Sequence, residues 1–336
     1  MIRPGPFRAA VVTTMLLVGL AACATPAQPP PPPTQARPAA TPPPLTPPAA
    51  ETAAPGPPAT PTLAPPPTAT TTPTPPPSPT PEPSPTPCAE PGEVVAGTFQ
   101  STLARGEHRY RLYYPPCYGQ DGRAYPTVYL FAGNIHHEGK WDELGLDEAA
   151  DEAIHAGEIA PLLIVMSAGG WLYDETSGGP GSFESLVLDE LIPHVEATTC
   201  AWAAAEGRAI GGLSRGGYWA LEIAFRFPDH FLSVGGHSAA LLDAFAGPDV
   251  NPQQTALTND LGDLRIYLDI GDNDYLRTNT IRLHEEMAAA GVAHEWHLNE
   301  GEHNDAYWSA HAPDYLRWYA APWPVERSAY PPCPGS

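Results

Sequence analysis

Residues 208–227 constrain the fold of this chain more than any other stretch, because they combine a strand, a tight turn and a helix. Residues 208–212 form a short run typical of a buried strand, and residues 216–227 have the apolar spacing of a helix. Between them, Gly212, Ser214 and Gly216 fit the G-x-S-x-G pattern. In such a turn the serine hydroxyl projects from the sheet edge, and glycines stand where a β-carbon would collide with the turn. The stretch therefore predicts a nucleophilic serine at position 214.

Strand and helix patterns alternate through the residues around this turn. The first two strands are joined by a short link and should pair as an antiparallel hairpin, whereas the later strands alternate with helices and should be parallel. The sequence thus predicts an α/β fold with a mostly parallel eight-stranded sheet flanked by helices. Pro193 should kink or split its helix. The predicted strands are 97–101, 108–113, 127–131, 162–166, 208–212, 233–236, 265–270 and 294–299, and the predicted helices are 146–156, 182–198, 216–227, 279–290 and 305–319.

The N-terminus has the pattern of an export signal. Arg3 and Arg8 precede an apolar run, residues 9–20, that is too short to remain in a bilayer. The run ends in Leu20-Ala-Ala-Cys23, which resembles the lipobox of bacterial lipoproteins; the alternative is an ordinary signal peptide with a nearby cysteine. The resemblance implies that residues 1–22 are removed and that Cys23 is lipidated. We then expect a membrane partner, reached through this lipid anchor, and a location on the outer face of a bacterial membrane, in the cell envelope.

Residues 23–87 read as a disordered linker. More than half of the chain's 46 prolines lie there, mixed with Thr, Ala and Ser, and large apolar side chains are scarce. Such a segment cannot bury enough apolar surface to offset the entropy of ordering, and proline favours an extended polyproline II conformation. The sequence therefore predicts a stalk, followed by one folded domain over residues 88–336.

The charge and the cysteines constrain the environment of that domain. A formal net charge of −22 argues against nucleic acid as a partner. Cys88, Cys117, Cys200 and Cys333 are an even set in an exported protein, which suggests two disulfides with three possible pairings. We favour Cys88–Cys333, which would bracket the domain, with Cys117–Cys200 as the second bond. No C-x-x-C spacing occurs, so we expect no metal site.

A serine nucleophile needs a base, an acid that orients the base, and oxyanion donors. Candidate acids follow the strand at 265–270. Asp269 lies inside that strand and is committed to the sheet, and Asp272 is well placed to cap the turn. Asp274 lies further into the loop and is the favoured acid, with the next two apolar residues placed to anchor the loop beneath the base.

The candidate base is His303. It lies past the end of the last predicted strand, at the same sheet edge as the serine, and directly before a helix. His294 and His297 belong to the strand and His311 to the helix, so position alone separates His303 from these other histidines.

The candidate oxyanion donors are backbone amides on two loops. Gly133 follows the strand at 127–131 and permits close approach of a ligand, so that an amide at Asn134 or Ile135 can serve. The second donor would be the amide of Arg215, the residue after the serine. The nearby run at 136–138, His-His-Glu, could be mistaken for a metal cluster. We interpret it as a solvated loop, because adjacent histidines point apart and do not form a chelating pair.

Several segments together resemble the putative-esterase family of α/β-hydrolases, over about residues 97–319. That family includes feruloyl and siderophore esterases, S-formylglutathione hydrolases and mycolyltransferase-like enzymes. The resemblance implies an α/β-hydrolase fold and a triad of Ser214, Asp274 and His303, with no cofactor. Ala132 departs from the histidine usual before Gly133. The matching segments are 125–133, Trp141, 190–196, 212–217, 227–231, 237–238, 271–274 and 301–308.

The expected activity is hydrolysis of a carboxylic ester through an acyl-enzyme, on a small-molecule or polymer-linked substrate. Trp171, Tyr173, His237 and Trp308 are expected to line the substrate site, where aromatic side chains would suit a sugar or phenolic ester. Two alternatives remain open: an acyltransferase of the mycolyltransferase type, and an inactive hydrolase fold that binds a wall polymer. A peptidase is less consistent with the length, because such enzymes generally carry an extra substrate-selecting domain.

Overall fold

The computed structural model describes residues 88–242 and 246–334. The predicted signal peptide, Cys23 and the predicted linker lie outside the described residues. The strands of the described part are β1 Glu93–Ser101, β2 Gly106–Tyr114, β3 Thr127–Phe131, β4 Leu163–Ser167, β5 Arg208–Leu213, β6 Ser233–His237, β7 Arg265–Gly271 and β8 Glu295–Asn299.

These strands form one eight-stranded sheet in the order β1-β2-β4-β3-β5-β6-β7-β8. β1 and β2 pair as an antiparallel hairpin, and β2 also pairs antiparallel with β4. All other neighbours are parallel, as predicted from the alternation of strands and helices. The carboxyl ends of the parallel strands therefore meet at one edge, together with the turn that joins β1 and β2.

Helices cover both faces of the sheet in the described part of the chain. They are α1 Lys140–Glu143, α2 Leu146–His155, α3 Trp171–Glu175, α4 Phe183–Ser185, α5 Ile192–Thr198, α6 Arg215–Arg226, α7 Pro252–Thr258, α8 Arg277–Ala290 and α9 Asp305–Ala320. Alternate residues of one strand face opposite layers, as the pleat requires. Tyr129 and Phe131 of β3 belong to the buried cluster that includes residues of α6 and α8, whereas Val128 and Leu130 belong to the cluster that includes residues of α2 and α9. This layered arrangement confirms the predicted α/β-hydrolase fold.

Pro193 has the predicted local effect, because the single helix predicted for 182–198 is divided. A π-helical turn, Leu186–Leu191, separates α4 from α5, and Pro193 lies in the first turn of α5. Proline has no amide hydrogen to donate to the preceding turn, so the regular helical pattern cannot pass through it. The short helices α1, α3 and α7 were not predicted from the sequence, because each has too few residues to show a helical period.

The favoured disulfide pairing is wrong. The structure pairs Cys88 with Cys117, whose Cα atoms are 5.9 Å apart, and Cys200 with Cys333, at 4.9 Å. Cys88 precedes β1 and Cys117 follows β2, so the antiparallel hairpin brings them together. The segment at 123–125 explains the second bond, because it pairs with Ala201 on one side and with Pro332 on the other.

Within the described residues, the helices are too short or too polar for any of them to cross a bilayer.

Candidate active site

Ser214 lies between β5 and α6 in a strained backbone conformation. Its φ is 55° and its ψ is −119°, a region that residues with a β-carbon rarely adopt. The flanking glycines permit this turn. A β-carbon on Gly212 would collide with the backbone of Gly216, and one on Gly216 would collide with the carbonyl of Phe131. The G-x-S-x-G residues therefore form a sharp turn that holds the serine at the carboxyl edge of the sheet.

His303 joins this serine to a buried carboxylate. It lies in the loop between β8 and α9, and its Nε2 is 2.8 Å from the Ser214 Oγ. Its Nδ1 is 2.8 Å from Oδ2 of Asp274, which is fully buried. The other carboxylate oxygen of Asp274 accepts the amide of Leu276 at 2.8 Å, which fixes the carboxylate towards the imidazole. The structure thus brings together the three residues that the sequence singled out.

The two other candidate acids make different contacts. Oδ1 of Asp272 accepts the amide of Gly301 at 3.1 Å, so this side chain joins the two loops of the site without contacting His303. Asp269 is fully buried in β7 and bonds to His237 and to two tyrosines. The position of Asp269 agrees with the expectation that it is committed to the sheet, whereas Asp272 bonds across to the neighbouring loop in place of the expected cap on its own turn.

The loop that follows β3 carries the predicted oxyanion residues. Gly133 is buried, and its carbonyl accepts the amide of His136 at 3.1 Å. Asn134 and Ile135 are exposed, Ile135 by 91%. A β-carbon on Gly133 would lie 2.8 Å from Nδ1 of His136, so the turn favours glycine at this position.

Arg215 is the first residue of α6, and the amides of a first helical turn point out of the helix end. Its guanidinium turns away and donates to the carbonyls of Tyr173 and Thr176. Burial lowers the pKa of this guanidinium to about 10, so it remains charged at neutral pH. The side chain thereby anchors α3 to the helix that carries the serine turn.

Three of the four residues expected to line the substrate site are buried and do not line it. His237 is fully buried at the end of β6, because its side chain faces the layer that α9 covers. Tyr173 is 1% exposed and packs against Phe183 and Trp219 in the core. Trp308, at 2% exposed, packs edge-on against the His303 ring, with the centroids 4.9 Å apart, and supports this imidazole from beneath.

Trp171 is the remaining member of that set and is 39% exposed. Its indole nitrogen donates to the carbonyl of Ala104, and the guanidinium of Arg105 lies over its ring. Trp171 borders a cleft of about 240 Å³ between the β1–β2 turn and the loops that follow β3 and β4. The residues that line this cleft include His108, His136, Glu138 and Gly170.

Two other residues lie at the mouth of the site in positions that the sequence did not predict. The side chain of Tyr275 is 74% exposed, and its ring lies 4.7 Å from that of His303. The sequence predicts this residue beneath the histidine, but in the structure it covers the histidine from the solvent side. His136 borders the cleft and packs edge-on to Trp308, which in turn contacts His303. Its position in a polar run gave no sign of this contact.

Comparison with known proteins identifies the family. The family model described as Putative esterase matches residues 101–319, which hold β2 to β8 and all three residues of the Ser214 site. The chain belongs to this esterase family.

Curated relatives of the esterase family share part of the chain. An esterase of Mycobacterium tuberculosis is 33% identical over 147 residues, which cover 42% of this chain and 31% of that protein. A bifunctional endo-1,4-β-xylanase/feruloyl esterase of Xylanibacter ruminicola is 31% identical over 150 residues, 42% of this chain and 20% of that protein. The chain spans less than a third of the length of these relatives.

Solved structures agree with the esterase fold over nearly their whole length. A ferulic acid esterase superposes with a TM-score of 0.62 at 24% identity, covering 69% of this chain and 99% of that one. An S-formylglutathione hydrolase of Staphylococcus aureus superposes with a TM-score of 0.59 at 16% identity, covering 69% and 100%. At these identities the likeness concerns the fold.

Proposed function

We propose that this chain is a serine hydrolase that cleaves carboxylic esters through an acyl-enzyme. The observation that carries the proposal is the placement of His303 within 2.8 Å of both the Ser214 Oγ and the Asp274 carboxylate. Membership of the esterase family supports the same reaction class.

In this reaction the Nε2 of His303 takes the proton of Ser214 while the hydroxyl oxygen attacks the ester carbonyl. Asp274 accepts a hydrogen bond from the Nδ1–H of His303, which fixes the imidazole tautomer and stabilises the imidazolium that forms. The oxyanion would be held by the Arg215 amide together with an amide of the Gly133–Ile135 turn. The imidazolium then returns its proton to the leaving alcohol, and the acyl group remains on Ser214.

The second half of the reaction uses the same groups. His303 accepts a proton from water, the resulting hydroxide attacks the acyl carbonyl, and the Ser214 oxygen leaves with the proton that the histidine returns. The products are a carboxylic acid and the regenerated enzyme. These steps require no metal or cofactor, because the histidine performs each proton transfer.

The surroundings of Ser214 support a phenolic or carbohydrate ester as the substrate. Tyr275 and Ile135 expose aromatic and aliphatic surface beside the base and the oxyanion loop. The cleft at Trp171 combines an indole with imidazole and carboxylate groups, a composition that suits a hydroxyl-rich group. Two structures of similar fold were solved with sinapinate and with ferulic acid bound.

Product analysis tests the reaction. Wild-type protein is incubated with methyl ferulate and with an acetylated sugar, with and without a competing alcohol. We expect free acid as the main product and at least about 10³-fold less of it from Ser214→Ala. A dominant transfer product would favour the mycolyltransferase-type alternative. The absence of any ester turnover in a folded protein would favour the binding-module alternative.

We also propose that the enzyme works at the cell envelope, held by a lipid on Cys23 and carried on the stalk of residues 23–87. The lipobox-like end of the apolar run at 9–20 and the proline-rich composition of the stalk support this location. The acidic domain would gain nothing from an anionic lipid surface, so the acyl chains would supply the attachment.

A further inference from the structure

A fully buried carboxylate lies beneath the serine and histidine of the site. Asp269 of β7 accepts the His237 Nδ1 at 2.8 Å through Oδ1, and through Oδ2 it accepts the hydroxyls of Tyr307 at 2.7 Å and Tyr315 at 2.6 Å. The hydroxyl of Tyr319 lies 3.0 Å from the other nitrogen of His237. A buried carboxylate is stable only when it is paired or hydrogen-bonded, and this one is satisfied from three sides. The hydrolytic mechanism uses none of these side chains.

The tyrosines of this cluster keep their hydroxyl protons. Burial, followed by the nearby Asp269 carboxylate, raises the pKa of Tyr315 and of Tyr319 well above the usual range, and both factors also raise the pKa of Tyr307. The tyrosines therefore remain hydroxyl donors. When the Tyr319 hydroxyl donates to Nε2 of His237, the imidazole hydrogen is on Nδ1, and this N–H donates to Asp269. These hydrogen bonds are mutually compatible.

One side of the cluster holds the serine turn. The backbone carbonyl of His237 accepts the Ser214 amide at 2.9 Å, and the amide of Ala240 donates to the Ser214 carbonyl at 2.9 Å. Between these contacts lies Ser238, whose φ is 47° and whose amide donates to the Asp269 carbonyl at 3.0 Å. Such positive φ values persist only when the surrounding contacts fix them. The segment that follows β6 therefore fixes the strained backbone of the nucleophile.

The other side of the cluster holds the histidine loop. Tyr307 is in the first turn of α9, and its amide donates to the side chain of Asn304, the N-cap residue directly after His303. Its hydroxyl also accepts a hydrogen bond from Asn299, the last residue of β8, at 3.1 Å. Its ring packs against Gly301, where a β-carbon would lie 2.6 Å from the ring. Tyr307 therefore contacts both ends of the loop that carries His303.

We infer that Asp269 is a positioning residue that sets the Ser214–His303 geometry by holding both loops from one buried carboxylate. His237 transmits this constraint to the serine turn, and Tyr307 transmits it to the histidine loop. The inference rests on the proposed hydrolytic function. When a nucleophile and its base are displaced by about 1 Å, the catalytic rate falls on the order of 10²-fold. A partial loss of the constraint on Ser214 and His303 should therefore lower the rate about tenfold.

The test compares two variants that remove one hydroxyl each from the same carboxylate oxygen. Tyr307→Phe breaks the contact to the histidine loop. Tyr315→Phe breaks a contact from the interior of α9, which does not reach that loop. We expect the two to lose similar thermal stability. We expect about a tenfold lower kcat for Tyr307→Phe, with KM unchanged, and a kcat within about twofold of wild type for Tyr315→Phe. KM should stay unchanged because Ser214 and His303 act in both acylation and deacylation, so that both steps slow by a similar factor.

Asp269→Asn provides a second measurement and should lower kcat at least as far as Tyr307→Phe. All rates are measured with one activated ester, well below each melting temperature. Equal kcat values for the two tyrosine variants, or a change in KM alone, would overturn the positioning role while leaving the hydrolase intact. If the folded wild type hydrolyses no ester, the proposed function fails as well, so the two failures are distinguishable.

Discussion

Asp272 and Asp274 lie two residues apart but have different hydrogen-bond partners, and these partners separate their roles. Asp274 is fully buried and contacts the imidazole nitrogen distal to the serine. Asp272 is exposed and joins its own loop to Gly301. A carboxylate on the imidazole holds the tautomer that lets Nε2 accept a proton, and an amide in its place does not.

We therefore expect Asp274→Asn to reduce turnover by up to about 10⁴-fold while the protein stays folded. The matched variant Asp272→Asn should keep most of its turnover and lose about 1 kcal/mol of stability through a weaker bond to Gly301. Kinetics with one activated ester, together with thermal melts, measure both effects. An inactive but well-folded Asp272→Asn would transfer the role of the acid to the other aspartate.

A residue's position could be predicted from the sequence when nearby residues determine it, and not when distant residues do. The serine turn is encoded within five residues by Gly212 and Gly216, and His303 follows directly from its place after a strand. His237 was misassigned because its direction depends on the pleat of β6 and on the helix that covers that face. The aromatic residues of β7 and α9 that surround it are far apart in sequence, so no local pattern indicated a buried cluster.

At the scale of elements, β2 carries a histidine that should make stability depend on pH. His108 is buried, and its Nε2 lies 2.9 Å from the Ser167 Oγ at the end of β4. Burial lowers the pKa of this imidazole from 6.5 to about 4, against the opposing effect of nearby glutamates. Between these two values the unfolded chain binds a proton that the folded protein does not. The contribution of neutral His108 to the free energy of unfolding is therefore fully present above about pH 6.5 and is lost as the pH falls towards 4.

His108→Gln should remove this dependence. Comparison of the unfolding free energies of wild type and variant between pH 7 and pH 4 isolates the effect of one side chain from general acid denaturation. We expect the wild type to lose about 2 to 3 kcal/mol more than the variant over that range. Parallel curves for the two proteins would show that His108 is protonated equally in the folded and unfolded states.

The elements themselves were predicted well where they are long. Alternating patterns gave all eight strands and the parallel connections, because a buried strand and an amphipathic helix differ in period. The interruption of the helix at 183–198 and the three short helices were harder to predict from the sequence, because tertiary contacts determine whether such short segments are helical.

At the scale of the whole molecule, the two disulfides fasten the ends of the described domain to neighbouring structure. Cys88–Cys117 holds the entry to the first hairpin, and Cys200–Cys333 holds the C-terminal segment to the chain that leads into β5. Sequence separation suggested the wrong pairing because it carries no information on which segments the sheet order makes neighbours.

The proposed anchor makes a further whole-molecule prediction. Wild-type protein expressed in a bacterium with lipoprotein processing should partition into the detergent phase of a phase-separation extraction. Cys23→Ala should move to the aqueous phase or remain unprocessed, because no lipid can then be attached. Wild type in the aqueous phase would show that the segment is an ordinary signal peptide.

The central claim is that Ser214 is a nucleophile activated by His303, and covalent labelling tests it most directly. Folded wild-type protein is treated with a fluorophosphonate probe, and the modified peptide is identified by mass spectrometry. We predict a single phosphonylated residue, Ser214, no label in Ser214→Ala, and at least about 10³-fold slower labelling in His303→Ala. A wild type that stays unlabelled, or a label that persists in Ser214→Ala, would contradict the claim.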